Sequence, residues 1–356
     1  MQVRPFEIAD ISPVVRLRRK CFKSSGQPTE RLAEARFRKV LFENPWYRKD
    51  MSSLVAVDET ETVVGFLGVV PRPMTYRGQP VWMAVPTQLM ADPEDHTLAG
   101  VALLQTFMNG PQDFSVTDLA GDQTRRIRTA LGDTLASLYS FYWIRPLKPT
   151  QFARQSWRLQ GLAKFAFRSI GKVADHYFAR QSMNHFHLPR PDCRSVDIGS
   201  ERLCVLYDMY LRRHVLAPAY TQADLDWIIS DLRTEQPSNE MLRMREVLDE
   251  SGHSLGWYLY CVKSAGAAQV LQFGGNPDEI GRVLAALFHD AYSDGAVHVT
   301  GRVQPEHLPQ LSHAPIHFSR AGPWVVVASR RSELIDEFLE GRAWLTRLEG
   351  EWWMNF

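Results

Sequence analysis

The sequence predicts an α/β (α+β) protein of two domains, with mixed, mostly antiparallel sheets flanked by helices. Three observations predict it. The chain has 356 residues, more than one typical core accommodates. Its first 150 or so residues read strand, helix, meander, helix, strand, helix, strand. A similar order returns in the second half.

The elements follow from pattern. "VRPFEIADISPVVRLRRKCF" reads as a short strand and a helix that Asp10 can cap, with Ile11, Val14, Val15 and Cys21-Phe22 at near-helical spacing. Ser53–Val57 and Val63–Val70 are β-rich runs around a polar turn at Asp58-Glu59-Thr60. Arg77-Gly78 marks a second turn, and Val81–Ala91 a third strand. A loop, Asp92 to Leu98, leads into a helix over Ala99–Met108, stopped by Gly110-Pro111. "FSVTDLA" is a fourth strand, "DQTRRIRTALG" a helix ended by Gly132, and "TLASLYSFYWIRPL" a fifth strand.

Residues 150–195 form a connector that mixes Arg154, Arg158, Lys164 and Arg168 with Phe152, Trp157, Phe165 and Phe167. Such a basic amphipathic helix either packs between domains or offers a peripheral membrane or protein contact over 150–180. The second domain, 196–356, begins with "RLCVLYDMYL", read as a strand. After it come a helix at "TQADLDWIISDLR" with Thr221 as N-cap, three strands, a helix at "NPDEIGRVLAALFHDAY", strands at "AVHVTGRV" and "PWVVVAS", and a charged helical tail. The aromatic end "EGEWWMNF" is expected to pack on the body.

The two halves echo each other. "LMADPEDHTLAGVALLQTF…FSVTD" and "QFGGNPDEIGRVLAALFHDAY…VHVTG" share strand, Asp/Asn-Pro, acidic pair, apolar helix and a Val-Thr strand. Pro93 aligns with Pro277 and Thr117 with Thr300. Two copies of one domain are the simplest organisation.

Composition narrows the function. The formal charge is +1, so no global field draws nucleic acid. Hydrophobic residues make up 45% and charged residues 23%, at a mean hydropathy of −0.26, as in soluble globular proteins. Four scattered cysteines fit free thiols in a reducing cytoplasm. The opening residues lack the apolar core of a secretory signal, and no uncharged apolar run reaches about 18 residues. His185/His187 and His313/His317 have ligand-like spacing but no third partner, so no metal site is expected. Walker and dinucleotide glycine motifs are absent, as is GxSxG.

The order of "VRPFEIADISPVVRLRRKCF", "TVVGFLGVV", "LMADPEDHTLAGVALL", "FSVTDLAGDQTRRIRTALG" and "SLYSFYWI" resembles the GNAT superfamily of acyl-CoA N-acyltransferases. The resemblance covers about 1–149 and, more weakly, 196–356. It implies acetyl-CoA or another acyl-CoA as co-substrate. By position, Leu89, Met90 and Ala91 would meet the pantetheine arm, and amides of Asp95, His96, Thr97, Leu98, Ala99 and Gly100 the pyrophosphate, with the helix start as an anion site. This loop departs from the family in having no arginine and one glycine, and an acidic first turn also caps a helix unaided. Gln88 would face the thioester, Asp118 would serve as base or amine anchor, and Tyr139 or Tyr142 would reach the site from the next strand. Arg128 stands near the position where the family often has a tyrosine acid. The implied function is acyl transfer to an amine or hydroxyl of a small-molecule or glycan acceptor. The alternatives are a non-catalytic scaffold with this fold and a Fem-like transferase using aminoacyl-tRNA.

Overall fold

The computed structural model describes residues 1–22, 28–94, 97–156, 175, 186–235, 240–263 and 265–354. Most of the 150–195 connector, together with Asp95 and His96, lies outside the described residues.

The first half begins with β1 (Gln2–Pro5), α1 (Ile11–Cys21) and α2 (Glu30–Leu41). A meander follows: β2 (Leu54–Val57), β3 (Val63–Tyr76) and β4 (Gln79–Ala91). Arg77 and Gly78 take positive φ at the tip of the β3–β4 hairpin, as a tight turn requires. Next come α3 (Thr97–Met108), β5 (Phe114–Ala120) and α4 (Asp122–Ala130). Where the sequence predicts one strand, the chain forms β6 (Thr134–Leu135), a 3₁₀ turn over Ser137–Ser140, and β7 (Tyr142–Pro146), then α5 (Pro149–Ser156).

The second half repeats the plan. It contains β8 (Arg194–Asp197), α6 (Ser200–Tyr210), β9 (Leu216–Pro218), α7 (Gln222–Glu235), β10 (Glu240–Leu248), β11 (Ser254–Lys263) and β12 (Ala267–Gly275). After these come α8 (Ile280–Ser293), β13 (His298–Arg302), α9 (Leu308–His313), β14 (His317–Ser319), β15 (Trp324–Ser329) and α10 (Ser332–Leu339). "RLCVLYDMYL" is therefore a helix, not a strand. Leu203, Leu206 and Tyr207 share one buried face at helical spacing, which outweighs the β propensity of Val205 and the tyrosines. Thr221 and Asp224 cap α7 reciprocally: the Asp224 amide donates to Thr221 Oγ1 and the Thr221 amide to the Asp224 carboxylate. The tail helix stops at Leu339, because Gly341 takes a positive φ and lies against Pro305.

Two sheets result. One runs β1-β2-β3-β4-β5-β15-β6, with β9 added to β3; the other runs β14-β7-β13-β12-β11-β10-β8. The first sheet thus takes in β15 and the short β9 from the second half, and the second sheet takes in β7 from the first. β15 pairs antiparallel with β5 and β6, and β7 with β13 and β14. Position by position, β7 and β15 occupy the same place in the two copies. The boundary expected at residue 149 is one of chain order, and the sheets cross it. Burial locks the exchange. Trp143 of β7 is enclosed in the second core, edge-on to Phe273 and Phe288, where Gly301 leaves it room. Val325 and Val327 of β15 lie in the first core. Within the described residues no helix is long and apolar enough to cross a membrane. All four cysteines are free.

Neither half can complete its sheet alone, so the described body should unfold as one unit. Scanning calorimetry of the full chain is expected to give a single transition with matching calorimetric and van't Hoff enthalpies. Two resolved transitions would show that the halves are independent.

Candidate functional site

The site begins at a strand irregularity. β3 and β4 pair in regular register up to Gly68–Thr87, and pairing resumes at Phe66–Met90, so Gln88 and Leu89 oppose Leu67 alone. Gln88 takes φ 51°, a left-handed conformation that costs a non-glycine residue about 1–2 kcal/mol. Strain of this kind marks a place where the surrounding structure dictates the backbone.

The bulge bends β4 away from its other neighbour. β4 and β5 are parallel and pair at Met83–Phe114 and Ala84–Ser115. Beyond that point they diverge, and a wedge-shaped cavity of about 280 Å3 opens between them. Pro86, Thr87, Gln88 and Leu89 line one wall, Thr117, Leu119 and Ala120 the other, with Leu104 of α3 and Thr124 of α4 at the ends. A parallel pair that splays leaves strand-edge amides and carbonyls facing the gap, where an amide-bearing chain can bind.

Of the residues singled out in the sequence, Gln88 and Leu89 line this wedge. Gln88 Oε1 accepts a hydrogen bond from Arg18 Nε at 3.2 Å. Met90 points into the core, and the Ala91 carbonyl accepts from Cys21 Sγ. Thr97 opens α3; Leu98 is exposed, Ala99 is buried, and Gly100 sits beside Ala91 with open space at its α-carbon. The last turn of α1 carries Arg18, Arg19 and Lys20, and Arg18 and Lys20 reach β4 and the start of the loop. Lys20 Nζ lies 3.2 Å from Asp92 Oδ2, and Asp92 also receives the Glu94 amide in a turn. Because this helix precedes the loop by some 70 residues, reading the loop alone misses it.

Two expectations need correction. Asp118, expected as base or amine anchor, does not line the wedge. It is fully buried, with Oδ2 2.8 Å from Arg302 Nη2 and Oδ1 accepting the Glu351 amide at 2.7 Å. Tyr139 lies not on a strand but in the 3₁₀ turn. Its hydroxyl donates to the Ala343 carbonyl at 2.6 Å, burial pushes its pKa up, and it is remote in packing from the wedge lining. Tyr142, on β7, stands near Arg302 and Arg347. Arg128 is a buried anchor that donates to Asp133, Thr117 and Ser115, so it ties α4 to the β5 wall.

The group that sequence reasoning misses is Glu351. Its carboxylate lines the wedge, accepts the Leu119 amide at 3.1 Å and bonds Thr87. Burial, with Asp118 beside it, pushes its pKa up to about 8. The C-terminal segment that carries it is pinned at both ends. Ahead of it, Gly350 packs its α-carbon against the Asp118 carboxylate, where any side chain would collide. Behind it, Trp353 is buried on the guanidinium of Arg72, which lies 4.6 Å from that ring and 4.2 Å from Trp46. Arg36 Nη2 also donates to the Trp353 carbonyl. The described part of the aromatic tail, Trp352–Met354, packs on the body.

The duplicate wedge is closed. β12 bulges at Leu271, and β12 and β13 pair over Ala267–Gln269 before parting. Residues 344–349 fill the gap. The Arg347 amide donates to the Leu271 carbonyl, and Gln272 Nε2 lies 3.3 Å from both Thr346 Oγ1 and Glu349 Oε1. Gln272 holds the place of Gln88 in the repeat.

Comparison of the whole structure with solved ones gives consistent matches. A GCN5-related N-acetyltransferase from Anabaena variabilis matches with a TM-score of 0.59 at 15% identity, over 93% of this chain and 73% of that one. The chain has the GNAT fold. An Enterococcus faecalis protein described as a probable N-acyltransferase gives a TM-score of 0.59 at 12% identity, covering 92% and 72%. Saccharomyces cerevisiae N-myristoyltransferase with bound myristoyl-CoA gives 0.54 at 10% identity, covering 93% and 79%. No family model and no curated protein sequence matches the chain. In this GNAT fold the wedge between β4 and β5 is open in the first copy and occupied by the chain itself in the second.

The Asp118–Arg302 pair joins the halves and is fully enclosed. Asp118→Asn leaves Arg302 buried without its counter-charge and is expected to cost about 3–5 kcal/mol. Urea unfolding checks this: a loss below about 1 kcal/mol would show that the pair is not structural.

Proposed function

We propose that the protein is an acyl-CoA-dependent acyltransferase whose first half binds the acyl donor. The observation that carries this reading is the open wedge with the Glu351 carboxylate on its wall. Three features of the residues suit an acyl-CoA. Splayed strand edges offer hydrogen bonds to the pantetheine amides. Leu89, Leu104 and Leu119 give an apolar passage. The α1 cations and the amides at the start of α3 favour phosphate.

In this reading the acceptor nitrogen or oxygen attacks the thioester carbonyl. A bond from acceptor to acyl carbon forms, the carbon–sulfur bond breaks, and the thiolate leaves and takes a proton from water. The acceptor proton passes to the ionised Glu351 carboxylate. A base with a pKa near the working pH is effective for this, since it is both available and strong enough. Asp118 holds the Glu351 backbone and keeps its proton affinity high. Acetyl-CoA is the first donor to test, and the acceptor is a small molecule or glycan bearing an amine or hydroxyl.

Release of free thiol from acetyl-CoA and longer acyl-CoAs, with an amine panel as acceptors, tests the proposal. Turnover should rise with pH and level off above about 8, where Glu351 is ionised. Glu351→Gln should lower kcat by about 10²–10⁴-fold and remove that rise, with acyl-CoA affinity kept. Unaltered kcat and pH profile in this variant would refute the role of Glu351. Failure of every acyl-CoA to bind would refute the reading as a whole.

A further inference from the structure

The closed second wedge leaves a cavity at its mouth. About 460 Å3 in volume, it lies between the segment after α6 (Arg213, His214), the turn after β13 (Gln304–Glu306) and the stretch after α10 (Glu340–Leu345). Its volume is within the range of small-molecule sites.

The polar groups of this cavity are unevenly satisfied. Arg342 already pairs with Glu337 and Glu340, and Arg213 Nη2 donates to the Gly275 carbonyl at 3.1 Å. Glu306 is different. Its nearest nitrogens are His307 Nε2 at 3.5 Å, His214 Nε2 at 3.6 Å and Arg213 Nη2 at 3.9 Å, and none makes a hydrogen bond to it. Both histidines are held neutral by burial, His214 down to about 4 and His307 to about 3, so neither supplies a full charge near neutrality. His307 Nε2 and the indole nitrogen of Trp344 are buried without a partner. Trp344 forms a cavity wall edge-on to His214. The cavity therefore presents a carboxylate with no side-chain hydrogen bond, beside the largely buried Trp344.

We infer that this cavity binds a small molecule through a primary ammonium group seated on Glu306, against the ring of Trp344. An ammonium supplies three donors, enough for the Glu306 carboxylate and an unprotonated imidazole nitrogen, and it suits the aromatic wall. No three-residue metal set of His, Cys, Asp or Glu occurs among the described residues, so an organic cation fits the cavity better than a metal ion. Burial pushes Glu306 up to about 7. Ammonium binding favours the ionised acid, so affinity should rise between pH 6 and 8. The other charged groups facing Glu306 are Arg213 beside it and Glu340 and Arg342 across the cavity. The inference is independent of acyl transfer in the first half.

Calorimetric titration of the full chain with phenethylamine at pH 8 tests it, with 2-phenylethanol and 3-phenylpropionate as neutral and anionic counterparts. One saturable amine site is expected, with both counterparts and Glu306→Gln weaker by about tenfold or more. The variant should keep its Tm and its acyl-CoA binding, which separates this result from the fate of the wedge. Equal binding to Glu306→Gln, equal or tighter binding of 3-phenylpropionate, or no saturable amine binding up to tens of millimolar would overturn the inference.

Discussion

The bulge at Gln88 and Leu89 is the constraint on which the rest of the site depends. A parallel pair such as β4 and β5 would zip along its full length if both strands were regular. One strained residue prevents this. Its cost, about 1–2 kcal/mol, is small against the packing of β3, whose run from Val63 to Pro71 is buried throughout. The fold can therefore hold a gap open in the middle of its first sheet without losing the sheet.

A bulge in the matching strand appears in both copies, without the strained residue in the second, and the outcomes are opposite. In the second copy the gap is filled by residues 344–349, which hydrogen-bond Leu271 and Gln272 much as an added strand would. The chain then crosses to the first copy and delivers Glu351 to the open gap. The Asp118–Arg302 pair sits where the two meet, and the exchanged strands β7 and β15 keep the copies in fixed relation. One copy can hold a ligand because the other supplies the segment that completes its wall.

Much of this architecture is legible in the sequence. Long apolar runs such as "VVGFLGVV" and the Pro93/Pro277 echo expose the meander, the helix after it and the repeat, because these patterns are local. Gln88 and Leu89 are found by position in that pattern. What stays hidden is non-local. Nothing in "YWIRP" or "WVVVAS" says which sheet each strand joins, since either sheet offers the same pairing edge. Glu351 reaches the wedge from more than 230 residues away, so the carboxylate visible on the central strand, Asp118, draws the role that its partner is better placed to play. Tyr139 misleads for a related reason. Its short 3₁₀ turn has no distinct periodicity, and the tyrosine serves the core.

The central claim is that of two equivalent gaps one is free and one is filled by the chain. The stoichiometry of acyl-CoA binding to the intact protein, measured by isothermal titration calorimetry, tests this most directly. One site per chain is expected, lost when a bulky side chain such as Leu119→Trp is placed in the first wedge and kept when Thr346 or Arg347 is altered. Two sites per chain, or one site that survives Leu119→Trp, would contradict it.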